Sequence, residues 1–118
     1  MFSLGSSHRY FLYSEPTDMR KSFDSLSGLV RSAMDRDPFS GAVYIFINKQ
    51  RNRIKLLHWE TGGFTLYYKR LEKGQFELPD SPDQTTAIRW SELMLIVEGI
   101  RLKSVRRNQR FFFKKENI

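Results

Sequence analysis

The sequence predicts an α+β fold: an antiparallel β-meander of four to five strands, with a long helix after the first strand and a shorter C-terminal helix. Three observations carry this reading. "AVYIFIN", "IKLLHWE" and "FTLYYKR" are dense in β-branched and aromatic residues and are parted only by "KQRNR" and "TGG", the pattern of strands joined by hairpins. Met19, Phe23, Leu26, Val30 and Ala33 recur at steps of three or four, the spacing of one helical face. The 118 residues, 40% hydrophobic and 14% aromatic, suit one core, since domains usually run to about 100–150 residues.

Taken in order, "HRYFLYS" (His8 to Ser14) is short and aromatic and reads as an opening strand closed by Pro16. In "TDMRKSFDSLSGLVRSAM" either Thr17 or Asp18 supplies the N-cap oxygen, and the helix is expected to end near Asp35, before Pro38. "DPFSG" is a turn, because Pro38 fixes its own dihedral and Gly41 tolerates positive φ. The three meander strands follow, then "LEKG", a short fourth strand at "QFEL", and the loop "PDSPDQ". "WSELMLIVEGI" closes the series as a second helix, with Ser91 as N-cap and Gly99 near its end.

A simple register through "KQRNR" and "TGG" sets Val43, Ile45, Ile47, Leu57 and Trp59 on one face with Lys55, Tyr67 and Lys69. Tyr44, Phe46, Ile54, Leu56, His58, Phe64, Leu66, Tyr68 and Arg70 then share the other. Both faces are largely apolar, so both need cover, and any uncovered remainder is a partner surface. This register opposes Lys55 to Lys69, a like-charge pair that destabilises a sheet unless an anion lies between. A slip of one residue reverses the faces.

Charge is distributed unevenly. Residues 101–118 carry seven cations against the single acid Glu116, a net of +6, which leaves +1 of the formal +7 for the first hundred residues. We therefore expect a single domain over 1–100 and a basic C-terminal segment over 101–118, free to be flexible and attracted to nucleic acid or an acidic partner. The absence of cysteine excludes disulfides, thiolate metal sites and a cysteine nucleophile and suits a reducing compartment. Neither a signal-peptide pattern nor a membrane-spanning apolar run is present. The expectation is a cytoplasmic protein without membrane contact.

The sequence carries few residue patterns that suit catalysis. No Asp or Glu has Lys two residues later, the spacing often used by metal-dependent nucleases. Glu60 with Asp37 or Asp24 could converge in space for such a reading, but each acid is more simply a cap or a surface partner. His58 is a lone histidine in an aromatic run, where packing is the ordinary role. Gly62 and Gly63 lack the Gly-Lys-Ser/Thr ending of a phosphate loop, and no GxSxG elbow holds a serine. Cations and flat rings remain. Lys49, Arg51, Arg53 and Lys55 alternate along one hairpin, and Lys and Arg neutralise phosphates while Tyr, Trp and Phe offer stacking surfaces.

In order, "PTDMRKSFDSLSGLV", "DPFSGAVYIFINKQRNRIKLLHWETGGFTLYYKRLEKGQFELP" and "WSELMLIVEGI" resemble the TnpB-type accessory protein of insertion sequence 66 class bacterial transposons, from Pro16 to Ile100. The most specific pieces are Pro16 to Lys21, Asp37 to Gly41, and Gly63-Phe64 followed by Tyr68 to Gly74. His58 and Glu60 depart from the pattern, and the first fifteen residues and the basic end follow no motif of it. The resemblance implies a protein encoded beside a separate DDE-type transposase and needed for the element to move, with no established catalytic activity of its own.

Residues and resemblance together lead us to expect a non-catalytic accessory protein that binds DNA, at the transposon ends, through Lys49, Arg51, Arg53, Lys55, Lys69, Arg70 and Lys73 and through Arg106, Arg107 and Arg110 of the tail. Arg20 and Lys21 are expected to touch DNA or a partner, because cations at a helix N-terminus oppose the macrodipole and call for an anion. No cofactor, metal or catalytic residue is expected. The transposase and other element-encoded proteins are expected partners, and a homo-oligomer is compatible. An alternative is an adaptor that binds the transposase through the aromatic sheet face; a metal-dependent nuclease is a third, weaker reading.

Overall fold

A computed structural model describes residues 4–80 and 83–98. Its elements are β1 (Tyr10–Tyr13), α1 (Phe23–Ser32), β2 (Val43–Ile47), β3 (Arg53–Glu60), β4 (Gly63–Arg70), β5 (Thr85–Ile88) and α2 (Trp90–Val97). The fold is α+β, but the sheet is mixed rather than antiparallel throughout. Its order is β4-β3-β2-β1-β5, with β1 parallel to β2 and every other neighbour antiparallel. α1 supplies the crossover that a parallel pair requires. β1 thus lies inside the sheet, which is why all four residues of "YFLY" are buried.

Two cores sandwich the sheet. On one face α1 packs Leu26 and Val30 against Phe11, Tyr13, Tyr44, Phe46 and Leu57. On the other, α2 packs Leu93 and Ile96 against Tyr10, Leu12, Val43, Ile45, Ile54 and Leu56, with Phe76 filling beside them.

Four local expectations are corrected. α1 starts at Phe23 rather than after Thr17 or Asp18, because the Asp18 carboxylate accepts the Arg20 amide at 2.9 Å and closes a turn of its own. The helix is capped instead at Ser22, whose amide donates to Ser25 Oγ at 2.9 Å. It ends at Ser32, and Asp35 beyond it turns left-handed (φ 53°), a conformation Asp tolerates better than most residues. "QFEL" forms no strand, and the fifth strand is "TTAI", paired with β1. α2 begins after Arg89, with the Glu92 carboxylate accepting the Arg89 amide at 3.0 Å, so Ser91 lies inside the helix.

The fourth correction is the register. Glu60 pairs with Gly63 across the two-residue turn Thr61-Gly62, with Gly62 at φ 89°, and Val43 pairs with His58. Each hairpin is one residue off the simple register, and the two slips cancel in β4. Only the faces of β3 are exchanged: Ile54, Leu56 and His58 join Val43 and Tyr67, while Lys55, Leu57 and Trp59 join Tyr44 and Phe64. The like-charge pair is therefore Arg53 with Arg70, not Lys55 with Lys69. Gly99, the expected boundary at 100 and the basic segment over 101–118 lie outside the described residues.

Candidate nucleic-acid interface

The β2–β3 loop is built around Asn48. Its Oδ1 accepts the amides of Asn52 and Arg53 at 3.0 and 2.9 Å, and its Nδ2 donates to Asn52 Oδ1 at 2.7 Å. Arg51 at the tip is left-handed (φ 57°), a conformation that costs a non-glycine residue about 1–2 kcal/mol. Residues 71–76 strap the outside of the loop. Leu71 and Phe76 donate their amides to Asn52 and Arg51 carbonyls at 2.8 and 2.6 Å, and Gln75 Nε2 donates to Gln50 O at 3.0 Å. The tip is thereby fixed in shape.

On the inner side, the Thr17 amide donates to Ile47 O at 2.9 Å, which extends the segment 16–21 along the loop. Lys55 holds that segment down. Only 6% exposed, it donates from Nζ to the carbonyls of Met19 and Lys21 at 2.8 and 2.7 Å, and the ammonium sits 4.7 Å from the Tyr68 ring centroid. Pro16, Thr17, Asp18, Met19 and Arg20 from one side and Asn48, Lys49, Gln50, Asn52 and Arg53 from the other enclose an open depression of about 550 Å³. Three stretches remote in sequence thus meet at one end of the sheet.

Most of the expected cations gather there. Lys49 and Arg51 are exposed on the loop, Arg53 and Arg70 face each other across β3 and β4, Lys73 is exposed on the strap, and Arg20 lines the depression with Lys21 beside it. Two carboxylates accompany them. Asp18 grips Arg20 through Nη2 at 2.7 Å, and this guanidinium holds its carboxyl down at about 2. Glu72 accepts from Arg70 Nη2 at 3.2 Å. Arg53 Nη1 donates to the Tyr68 hydroxyl at 3.3 Å. Opposed like charges in a sheet cost free energy, so the Arg53–Arg70 pair favours an anion between the two guanidinium groups.

Two expected contacts are employed elsewhere. Lys55 is an internal strut with no reach to a ligand. Lys69 points to the α2 side and donates from Nζ to Val97 O at 2.7 Å, a lysine cap on a helix whose own last turn has no base. Arg106, Arg107 and Arg110 lie outside the described residues. Lys21 and Arg20 precede the helix rather than opening it, so the macrodipole argument made for them does not apply.

Catalytic groupings are sparse in this part of the chain. Among the described residues no three His, Asp or Glu side chains converge on a cation site. The Glu60 carboxylate accepts the Thr65 hydroxyl at 2.5 Å, and Asp37 accepts the Phe39 amide at 2.9 Å. His58 is buried in the sheet, its ring 5.0 Å from that of His8. Burial, reinforced by His8, pushes its pKa below the ordinary value, against a smaller opposing pull from Glu60. No described helix is long and apolar enough to cross a membrane.

Sequence reasoning missed the asparagine scaffold and the strut. Asn48 and Asn52 frame the basic tip at a spacing of four, a detectable signal for an ordered loop. Lys55 betrayed itself only by its apolar neighbours.

Comparison with known proteins follows the same residues. A family model described as "IS66 Orf2 like protein" matches residues 8–107. The uncharacterized protein y4jC of Sinorhizobium fredii is 31% identical over 99 residues, covering 84% of this chain and 85% of its own length. The uncharacterized protein y4hO of the same organism is 28% identical over 100 residues, 85% of this chain and 87% of its own length. No solved structure matches the chain.

Proposed function

The chain belongs to the IS66 Orf2-like family, and from that premise we propose that it is a non-catalytic accessory protein of insertion-sequence transposition that binds DNA with the basic end of its sheet. The observation that carries the reading is the meeting of segment 16–21 and the loop 48–53 around one cation-lined depression, with the strap 71–76 holding the outside of the loop. Arg53 and Arg70 grip one phosphate from two sides, and Lys49, Arg51 and Lys73 follow the backbone on either side of it. Because the loop is tied down before binding, little ordering entropy opposes the contact. The DNA is the duplex of the element's ends, where the transposase also acts.

Titrating the full chain into labelled duplexes of the element's terminal repeat and of scrambled sequence, at low and moderate salt, tests this. Binding that weakens steeply with salt is expected, since each phosphate neutralised contributes about 0.9 to the slope of log K against log salt. Absence of binding to both duplexes would overturn it and leave the transposase as the partner.

A further inference from the structure

α1 covers only part of its face of the sheet. Beyond it, β3 contributes Arg53 and Trp59 and β4 contributes Phe64, Tyr68 and Arg70 to one strip that is half-buried or exposed, with Lys55 buried beneath it. Phe39 of the 37–41 turn completes the strip at its far end, edge-on to Trp59 at 4.9 Å and 5.4 Å from Phe64. Tyr68 is 48% exposed at one end of the strip and Phe39 44% at the other. At about 3.4 Å per residue, Phe64 and Tyr68 stand some 14 Å apart along β4.

Cations predominate on this face, with Glu72 paired to Arg70 at one end and Asp37 holding the Phe39 turn at the other. Arg31 lies 5.2 Å from the Phe39 ring and the Lys55 ammonium 4.7 Å from the Tyr68 ring, with Arg53 and Arg70 at the basic end. β3 and β4 put no carboxylate here; Glu60, their only acid, falls on the opposite face with Thr65. Lys55 backs one side of the Tyr68 ring and makes the free side a platform for a π-system. Separated ring platforms interleaved with cations suit a polyanion whose bases are unstacked. A duplex keeps its base faces covered and cannot use them.

We propose that this strip binds single-stranded DNA, with bases stacking on Tyr68 and Phe39 and phosphates passing along Arg31, Arg53 and Arg70. The proposal rests on the DNA-binding reading above and adds the strand state: the basic end holds duplex, and the strip takes a strand opened beside it.

The experiment uses the full chain with Trp90→Phe, which leaves Trp59 as the sole tryptophan of the two in the sequence. Its fluorescence is titrated with oligo(dT) and with a duplex of equal length, in this background and with Tyr68→Ala or Phe39→Leu added, each variant first checked for an unchanged melting profile. Oligo(dT) is expected to quench Trp59, Tyr68→Ala to weaken that binding about tenfold, and Phe39→Leu, remote from the basic end, to weaken it severalfold while duplex affinity stays within about twofold. Quenching that survives both substitutions, or duplex binding without oligo(dT) binding, would overturn the strand-state proposal and leave the DNA reading intact. Binding of neither would overturn both and mark the strip as a protein-docking face.

Discussion

Replacing Lys55 by Met removes the ammonium that donates to the Met19 and Lys21 carbonyls and keeps most of the stem. Each such bond from a charged donor is worth about 1.5–3 kcal/mol, so two represent about 3–6 kcal/mol gross. Against this, the folded state no longer has to desolvate an ammonium, a cost of several kcal/mol. Water also reaches the freed carbonyls, because Met19 and Lys21 are only half-buried. The net expectation is a loss of about 1–3 kcal/mol. At about 4 °C per kcal/mol for a domain near 100 residues, the melting temperature falls by about 4–12 °C. Urea unfolding gives the free energy, and hydrogen exchange at the Thr17 amide reports whether the 16–21 segment has come loose. In DNA binding the variant should lose affinity without losing salt slope, whereas Arg53→Ala should lower the slope by about 0.9. Wild-type stability together with a slope lowered by about 0.9 would refute the argument, since it would make Lys55 a phosphate contact after all.

Asn48→Ala removes the acceptor shared by the Asn52 and Arg53 amides; a loss of about 1–2 kcal/mol in urea is expected, with weaker DNA binding although no charge is removed. Arg51→Gly relieves the left-handed backbone at φ 57° and should leave stability unchanged or raise it by up to about 1 kcal/mol while DNA affinity falls, so parallel losses in both would count against a role for the Arg51 side chain. His58 keeps a depressed pKa in the fold, whereas the unfolded chain takes up a proton near the ordinary value of 6.5. Stability is therefore full above about pH 6.5 and declines as pH falls through that value toward the folded pKa. His58→Phe should flatten this part of the melting temperature against pH curve, and an unaltered curve would exclude His58 as its source.

The meander was legible because its signals are local. β2, β3 and β4 are continuous runs of strand formers bounded by loops, and α1 shows its buried face at a spacing of four, Leu26 to Val30. Parallel pairing of β1 with β2 leaves no mark in either strand's own sequence, since it depends on where α1 returns the chain. "TTAI" is four residues long and follows "PDSPDQ", and its strand character comes from pairing with β1 rather than from its own residues. The register failed at one point, the length of each turn: Gly62 takes positive φ and allows a two-residue turn, where "TGG" suggested three. That slip decides which side chains can touch a ligand. It buries Lys55, brings Arg53 opposite Arg70, and leaves the basic hairpin as a cluster pinned by two asparagines.

The central claim, that the convergent basic end is a DNA-binding surface, is tested most directly by comparing the wild-type chain with a variant carrying Ala at Lys49, Arg51, Arg53 and Arg70, titrated into the terminal-repeat duplex across a salt series. The expected result is a fold unchanged by circular dichroism, an affinity reduced at least a hundredfold at low salt, and a slope of log K against log salt shallower by about 3–4. An affinity and slope equal to those of the wild type would contradict it.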